Sequence, residues 1–380
     1  MSGEKTPAIL GYRRSDGTAG IRNSVAILYT TACSLAVAER LFTLFPAGTL
    51  LFGLPDGCRY DEAPVERIER LCENPNIFGA LVVGLGCEGT DASELAARLG
   101  SGGKPVEFVR INEAGGDLRA LETGSRLLAR LLQDASAVER APLDVSDLIV
   151  CGKCGGSDAT SGLAANPVLG FAADLLIDAG GTYIHDEIGE LMGCGDILAA
   201  RAEDEAVGRE IREAIRAEEE ACFASGRFSW SFGNIQGGLT SIEEKSYGAL
   251  AKSGSKPLRG ILHGFERPRK KGYHIQVQKP QASPFHACAE VVNQMAACGA
   301  HLGVITTGCG STVGGLIPVI KVISNPTREQ LIRDNADIDA SSIIEGRRTI
   351  EEVGLELYRE ILSVASGKLT RAEVFRHFEG

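Results

Sequence analysis

The sequence predicts an α/β protein of two Rossmann-like, doubly wound domains with mainly parallel sheets, over residues 1–145 and 146–380. Three observations predict it. Short apolar runs alternate with segments of about a dozen residues whose apolar positions recur at helical spacing. The alternation breaks at residues 134–146, Asp-Ala-Ser-Ala-Val-Glu-Arg-Ala-Pro-Leu-Asp-Val-Ser, and then begins again. Polar, glycine-rich turns follow several of the strongest runs, at the end where parallel sheets bind ligands.

Taken in order, a polar entry at 11–23 leads into the apolar run Val25–Tyr29, a buried strand. Leu35, Ala38, Leu41, Phe42 and Phe45 then mark a helix. A strand at 50–53 runs into the loop of Cys58, helix 61–73 follows, and the strand Ala80–Leu85 ends in Gly86-Cys87-Glu88-Gly89. Helix 91–99, strand 106–111 and helix 117–133 complete the first domain. The second begins with strand 147–151, helix 167–179 and strand 182–186, and continues with a charged, solvated helix at 203–223. Strand Leu302–Ile305 ends in Thr-Thr-Gly-Cys-Gly-Ser-Thr-Val-Gly-Gly, and Val319–Ile323 is a strand carrying Lys321 among apolar neighbours. That lysine either snorkels at a sheet edge or serves a site. Helices near 327–335, 349–364 and 370–378 pack the remainder, and Asp334, Asn335, Asp337 and Asp339 crowd a turn.

Composition narrows the function. Hydrophobic residues at 44% and charged residues at 23% describe an ordinary globular chain. No apolar run is long enough to span a bilayer and no signal-peptide core opens the chain, so a cytoplasmic protein without a membrane partner is expected. The net charge of −11 argues against nucleic acid, though a local pocket can still bind an anion.

The central stretch is 151–170, Cys-Gly-Lys-Cys-Gly-Gly-Ser-Asp-Ala-Thr-Ser-Gly-Leu-Ala-Ala-Asn-Pro-Val-Leu-Gly. Asn166 is suited to cap a helix whose first residue is Pro167. Strand, glycine turn and helix start together form an anion-binding geometry, or else a plain turn of small residues. A second loop-to-helix junction spans 233–252. There Thr240 and Glu243 fit a capping box, which leaves Glu244 and Lys245 in the first turn without a local duty. The eleven cysteines are not a disulfide framework. Some belong to the core, but Cys58, Cys87, Cys154 and Cys309 sit in glycine-flanked turns, which suggests thiol or metal chemistry. Cys33, Cys58 and Cys87 fall at the carboxyl ends of strands. The histidines are scattered singly and read as structural.

Several ordered motifs together resemble the altronate/galactarate dehydratase family, whose relatives include the large subunit of sulfolactate sulfo-lyase. They are Gly-Tyr-Arg-Arg…Gly-Ile-Arg-Asn at 11–23, Gly-Leu-Gly-Cys-Glu at 84–88, and Cys-Gly-Gly-Ser-Asp-Ala-Thr-Ser-Gly-Leu-Ala-Ala-Asn-Pro at 154–167. Gly-Asn-Ile-Gln-Gly-Gly-Leu-Thr-Ser-Ile-Glu-Glu-Lys-Ser at 233–246, Ile-Thr-Thr-Gly at 305–308 and Pro-Val-Ile-Lys-Val at 318–322 complete the set. The chain departs from the family pattern at Tyr273–Pro280, at Cys309 and at Gly193-Cys194-Gly195-Asp196.

The resemblance implies a metal-dependent lyase that abstracts the proton α to a carboxylate and expels a β substituent. Water leaves a sugar acid such as altronate or galactarate, or sulfite leaves sulfolactate; a non-catalytic scaffold subunit is the competing reading. The enediolate needs neutralising charge, so Fe²⁺ or another divalent metal is the implied cofactor, with an iron–sulfur cluster held by three of Cys58, Cys87, Cys154 and Cys309 as the alternative. Glu88, Asp158, Glu187, Glu190, Glu244 and Lys245 could supply acid and base; Lys245, Glu244, Asp158 and Glu187 are the expected catalytic residues. Arg22, Asn23, Gly155, Gly156, Ser157, Ser161, Asn166, Asn234, Thr307 and Lys321 are expected to bind substrate. Cys87, Glu88 and Cys154 are the expected metal ligands. The turns at 86–89, 154–162, 233–245 and 306–312 are expected to share one cleft. The family's small SAF-type domain has no counterpart among these motifs, so a small SAF-domain subunit or a homo-oligomer is expected to close the site.

Overall fold

The computed structural model describes residues 9–185, 188–277 and 288–379. It is an α/β structure with two parallel sheets and one small antiparallel one. The chain divides into two compact units, one of residues 10–143 and the other chiefly of 144–379. No described helix is long and apolar enough to cross a membrane.

In the first unit, four parallel strands lie in the order Thr49–Gly53, Ser24–Tyr29, Ile77–Gly84, Val106–Arg110. The first of these strands in the chain, Ser24–Tyr29, sits inside the sheet, so later strands are added on both of its sides. Val25, Ile27, Leu81, Val83 and Val109 point to one face, as the period of two requires, and meet Val37, Leu41, Leu128 and Leu131 of the helices Ala32–Leu44 and Asp117–Ala137. Ala19–Gly20, Ile9–Arg13 and Ala141–Leu143 form the small sheet.

The second unit is built on seven strands, all parallel, in the order Leu258–His263, Gly272–Val277, Thr182–His185, Ile149–Cys154, Leu302–Thr307, Val319–Ile323, Ile338–Asp339. Leu302–Thr307 and Val319–Ile323 are buried at every position, which is why they read as unbroken apolar runs.

Three expectations are corrected here. The strand expected to end at 151 continues through Cys154, so Cys151 and Cys154 project to opposite faces and their Cys-x-x-Cys spacing cannot chelate one ion. The helix expected to start at Pro167 starts earlier, as a π-helical segment Ser161–Ala165 that runs into the helix Asn166–Asp178. Asn166 is helical (φ −68°, ψ −47°) rather than a cap. The wider π turn accommodates Pro167, which lacks an N–H and crowds the preceding turn. Finally, Leu258–His263 and Gly272–Val277 are strands the apolar pattern did not reveal. Buried His274 and Gln276 interrupt the pattern of the second, and Gln276 Nε2 donates to Gly264 O at 2.8 Å.

Candidate active site

In the seven-stranded sheet the chain runs outward from Ile149–Cys154 on one side and later returns to Leu302–Thr307 on the other. The carboxyl ends of these two neighbours are the sheet's switch point, where such folds bind ligands. The loops leaving them are tied together: Gly156 O accepts from Gly308 N (3.0 Å), Cys309 N (2.9 Å) and Thr307 Oγ1 (2.9 Å), and Gly155 N donates to Thr306 O (2.7 Å). Gly155, Gly156 and Thr307 thus hold the scaffold.

A cleft of about 330 Å³ opens over the first loop. Ser157, Asp158, Ser161, Gly162 and Asn166 line one wall; Leu239, Glu244, Lys245, Tyr247 and Gly248 line the other. The walls approach closely because both carry glycine: a Cβ on Gly162 would stand 3.0 Å from Gly248 Cα. Asn166 bridges them, donating Nδ2 to Gly248 O (2.9 Å) while Oδ1 accepts from Thr306 Oγ1 (2.6 Å). Asn234, the third residue of the helix Phe232–Gln236, accepts through Oδ1 from the N-cap Ser231 N (2.7 Å) and donates Nδ2 to Ser157 O at 2.8 Å. The turns 154–162 and 233–245 therefore share this cleft, and the 306–312 turn braces it from below. The Ser157 hydroxyl is buried behind the wall and has no hydrogen-bond partner among the described residues, so it has a hydrogen bond left to give.

Two expected catalytic carboxylates have structural duties. Asp158 Oδ1 accepts from Thr160 N (2.9 Å), Thr160 Oγ1 (2.6 Å) and Ser161 N (3.1 Å), and Oδ2 accepts from Asn325 Nδ2 (2.7 Å). That carboxylate shapes the turn, with Oδ1 fully engaged and Oδ2 held by Asn325. At the second junction the cap is displaced by one residue. Ser241, not Thr240, caps the helix Ile242–Leu250, and Glu244, not Glu243, reaches back, accepting from Thr240 N (2.7 Å) and Oγ1 (2.6 Å). Glu187 lies outside the described residues.

Lys245 has the setting of a functional group. It lines the cleft, yet is only 7% exposed, and its Nζ lies 2.7 Å from Glu190 Oε1 and donates to Ser229 O. Behind it, the wholly buried Lys252 stands 3.6 Å from Glu190 Oε2 and donates to Cys154 Sγ at 2.6 Å. Burial alone would lift the Glu190 carboxyl, but Lys245, Lys252 and Lys153 together hold it far below the usual range. Burial likewise opposes the charge of Lys252, and Cys154 and Glu190 overcome that to raise its pKa. His185, with Nδ1 3.3 Å from Tyr273 OH, is driven well below its ordinary value by burial first and the charge of Lys252 second, and stays neutral. Under the cleft, then, three buried lysines surround one described glutamate (Glu190), while the Asp158 and Glu244 carboxylates belong to the walls.

The other expected residues lie elsewhere. Lys321 is buried beneath the 308–315 loop, where Nζ donates to Thr312 O (3.1 Å), and does not line the cleft. In the other unit, Arg22 and Asn23 precede the strand Ser24–Tyr29 and so stand at its amino edge; Asn23 is spent on Arg14 (2.7 Å) and Ala135 O (2.6 Å). Cys87 and Glu88 stand at the opposite, carboxyl edge of that sheet. Glu88 folds onto Thr30 Oγ1 (2.7 Å), Gly86 N (2.6 Å) and Cys87 N (2.9 Å), and these bonds outweigh burial and lower its pKa. Its oxygens are thus committed to its own turn, and the Cys154 thiol is committed to Lys252. Among the described residues no three His, Cys, Asp or Glu side chains are grouped to hold a single metal ion, so the implied divalent metal does not fit the described ligands.

Lys252 escaped the sequence reading. The signal was there: it is the one cation in the small, apolar segment Gly248–Ser253. The partners that make it functional, Cys154 and Glu190, lie far away in the sequence.

Comparison with known proteins gives a consistent picture. Residues 145–379 match the family described as D-galactarate/altronate dehydratase, C-terminal, and residues 11–136 match D-galactarate dehydratase/altronate hydrolase, second domain. The chain is 34% identical to the (2R)-sulfolactate sulfo-lyase subunit beta of Chromohalobacter salexigens, over 99% of this chain and 97% of that one. It is 32% identical to the galactarate dehydratase (L-threo-forming) of Escherichia coli, over 94% of this chain and 72% of that one. With the altronate dehydratase of Bacillus subtilis the identity is 30%, over 96% and 75% of the two chains.

Proposed function

The chain belongs to the D-galactarate/altronate dehydratase family of lyases, and we propose that it eliminates a β substituent from a small hydroxy or sulfo carboxylic acid bound in the 330 Å³ cleft. The observation that carries this reading is Lys245 Nζ, presented at the cleft wall and paired from behind with Glu190.

In this reading the substrate's carboxylate sits against Lys245 Nζ and takes a hydrogen bond from Ser157 Oγ. Loss of the α proton moves charge onto the carboxylate oxygens, and a fixed ammonium in a low-dielectric wall stabilises that charge more than it stabilises the substrate. Lys252 and Lys153 add to the field, and the acid that reprotonates the leaving group draws on the same cluster. Asp158 and Glu244 are tied up, so the proton acceptor we assign is Glu187, which precedes Glu190 in the chain. Asn166, Asn234, Ser161 and the glycines of 155–156 position the walls. We further propose a cytoplasmic enzyme with a separate small subunit as partner, since a relative of almost the same length is named as a beta subunit.

The leaving group separates two readings. Sulfite release is favoured by the 34% identity to a sulfo-lyase subunit. Dehydration is supported by the two sugar-acid dehydratases. The test is a panel of sulfolactate, altronate and galactarate, assayed for sulfite and for 2-oxo acid, with wild type and Glu187→Gln compared. Product formed equally by both, or by neither with any acid after a small subunit is supplied, counts against the reading.

A further inference from the structure

Cys154 and Lys252 come from distant parts of the chain and meet inside the second unit. Cys154 ends the strand Ile149–Cys154, and Lys252 lies in the short turn Ala251–Ser253 that follows the helix Ile242–Leu250. Glycine seats that turn: a methyl on Gly170 would overlap Ala251 O, so a bare backbone is needed where the helix Asn166–Asp178 meets it. Lys252 is wholly buried and Cys154 is 2% exposed. Their side chains end 2.6 Å apart, Nζ to Sγ, which is shorter than an ordinary N–H···O hydrogen bond although sulfur is the larger atom. Nζ stands farther, 3.6 Å, from Glu190 Oε2, which is buried and has no hydrogen-bond partner among the described residues. A buried ammonium whose sole task was to neutralise Glu190 would close on that oxygen instead. The other thiols nearby are directed elsewhere. Cys151 projects to the opposite face of the sheet, and Cys288 gives its S–H to the Cys154 carbonyl (3.5 Å).

We propose that Cys154 and Lys252 are a covalent modification site, joined through a single oxygen atom into an N–O–S bridge with dioxygen as the co-reactant. In the balanced step the S–H bond and one N–H bond of the neutral amine break, and S–O and O–N bonds form to one oxygen atom. The second oxygen atom leaves as water with those two hydrogens. Sulfur and nitrogen each give up two electrons, and dioxygen takes all four. The same atoms balance if the thiol proton starts on nitrogen. One oxygen between Nζ and Sγ holds them at about the separation seen, whereas a direct S–N bond would require them to be drawn together. Burial keeps water and dissolved thiols from the sulfur, so the adjacent amine captures it once oxidised, as a neighbouring nitrogen captures a sulfenic acid. Dioxygen, small and apolar, reaches the pair through local openings of the interior. Two dithiols reverse the step: each becomes a disulfide, and the bridging oxygen leaves as water. The bridge withdraws the charge of Lys252 from Glu190 and ties the turn behind one cleft wall to the sheet. It rests on Cys154 and Lys252 alone and does not depend on the lyase reading of the cleft.

The test compares the full chain kept anaerobic with dithiothreitol and the same protein freed of reductant and exposed to air. The aerobic protein should gain the mass of one oxygen less two hydrogens. After denaturation it should titrate one thiol fewer than its eleven. Trypsin should release a joined pair of peptides, one carrying Cys154 and the other an uncleaved Lys252. Dithiothreitol should reverse all three changes. This comparison needs no variant; Lys252→Arg, which keeps the charge without the primary amine, and Cys154→Ser should both lack the joined peptides. An unchanged mass in air, thiols lost in pairs as in a disulfide, a Cys154–Lys252 link that contains no oxygen, or oxygen on Cys154 while trypsin still cuts after Lys252 would overturn the assignment.

Discussion

Lys245 Nζ and the Glu190 carboxylate are 2.7 Å apart, with both side chains less than a tenth exposed, and Lys252 closes on the other carboxylate oxygen at 3.6 Å. A buried carboxylate between two ammonium groups is costly to assemble and more costly to break. Glu190→Gln leaves Lys245 and Lys252 without the carboxylate that stands between them. It should destabilise the protein by about 3–5 kcal/mol, the usual loss when one partner of a buried pair is removed, read as a lower urea midpoint.

Stability should depend on pH through the same cluster. His185 is held far below its ordinary value by burial and then by Lys252. As pH falls through about 6.5 the unfolded chain takes up a proton that the folded chain refuses, so stability is full above that pH and declines below it. Glu190 adds a second decline below about 4.3, where the unfolded carboxylate protonates and the folded one does not. A urea-midpoint series from pH 8 to 4 should show the first decline in wild type and a smaller one in His185→Gln, because burial lowers His274 as well.

At the second junction, Glu244→Gln should cost about 1 kcal/mol or less, as loss of a reach-back cap does, because the bonds to Thr240 are made by Glu244. Glu243→Gln should move the melting temperature less. The reverse order would mean that the cap sits at Thr240 with Glu243.

Gly308 faces the Asp158 carboxylate so closely that an added methyl would overlap it. Gly308→Ala should lose about 1–3 kcal/mol, the usual range for overpacking. Gly193→Ala is a poor control, since Gly193 has φ +75°; Gly102, with open space around it, is the better one.

What the sequence disclosed follows the range of the interactions involved. Parallel strands buried on both faces announce themselves as apolar runs, and helices by their spacing, so the α/β plan was legible. Short-range chemistry was legible only approximately: Asn166-Pro167 carried the signature of a helix start, but the π turn moved that start to Ser161. The Thr-Ser-Ile-Glu-Glu run of 240–244 offers two overlapping capping registers, and packing chose the later one. Asp158 and Lys245 both looked reactive; only the fold distinguishes a carboxylate engaged by Thr160, Ser161 and Asn325 from an amino group at a cleft wall. Lys252, Cys154 and Glu190 meet across long stretches of chain, and no local pattern records that meeting.

The most direct test of the lyase account is kcat/KM of Lys245→Met against wild type on the acid the panel selects, with the melting temperature of each measured alongside. Lys252 still neutralises Glu190 in that variant, so the fold should hold while kcat/KM falls by about 10²–10⁴-fold. A Lys245→Met enzyme that turns over at the wild-type rate would contradict the account.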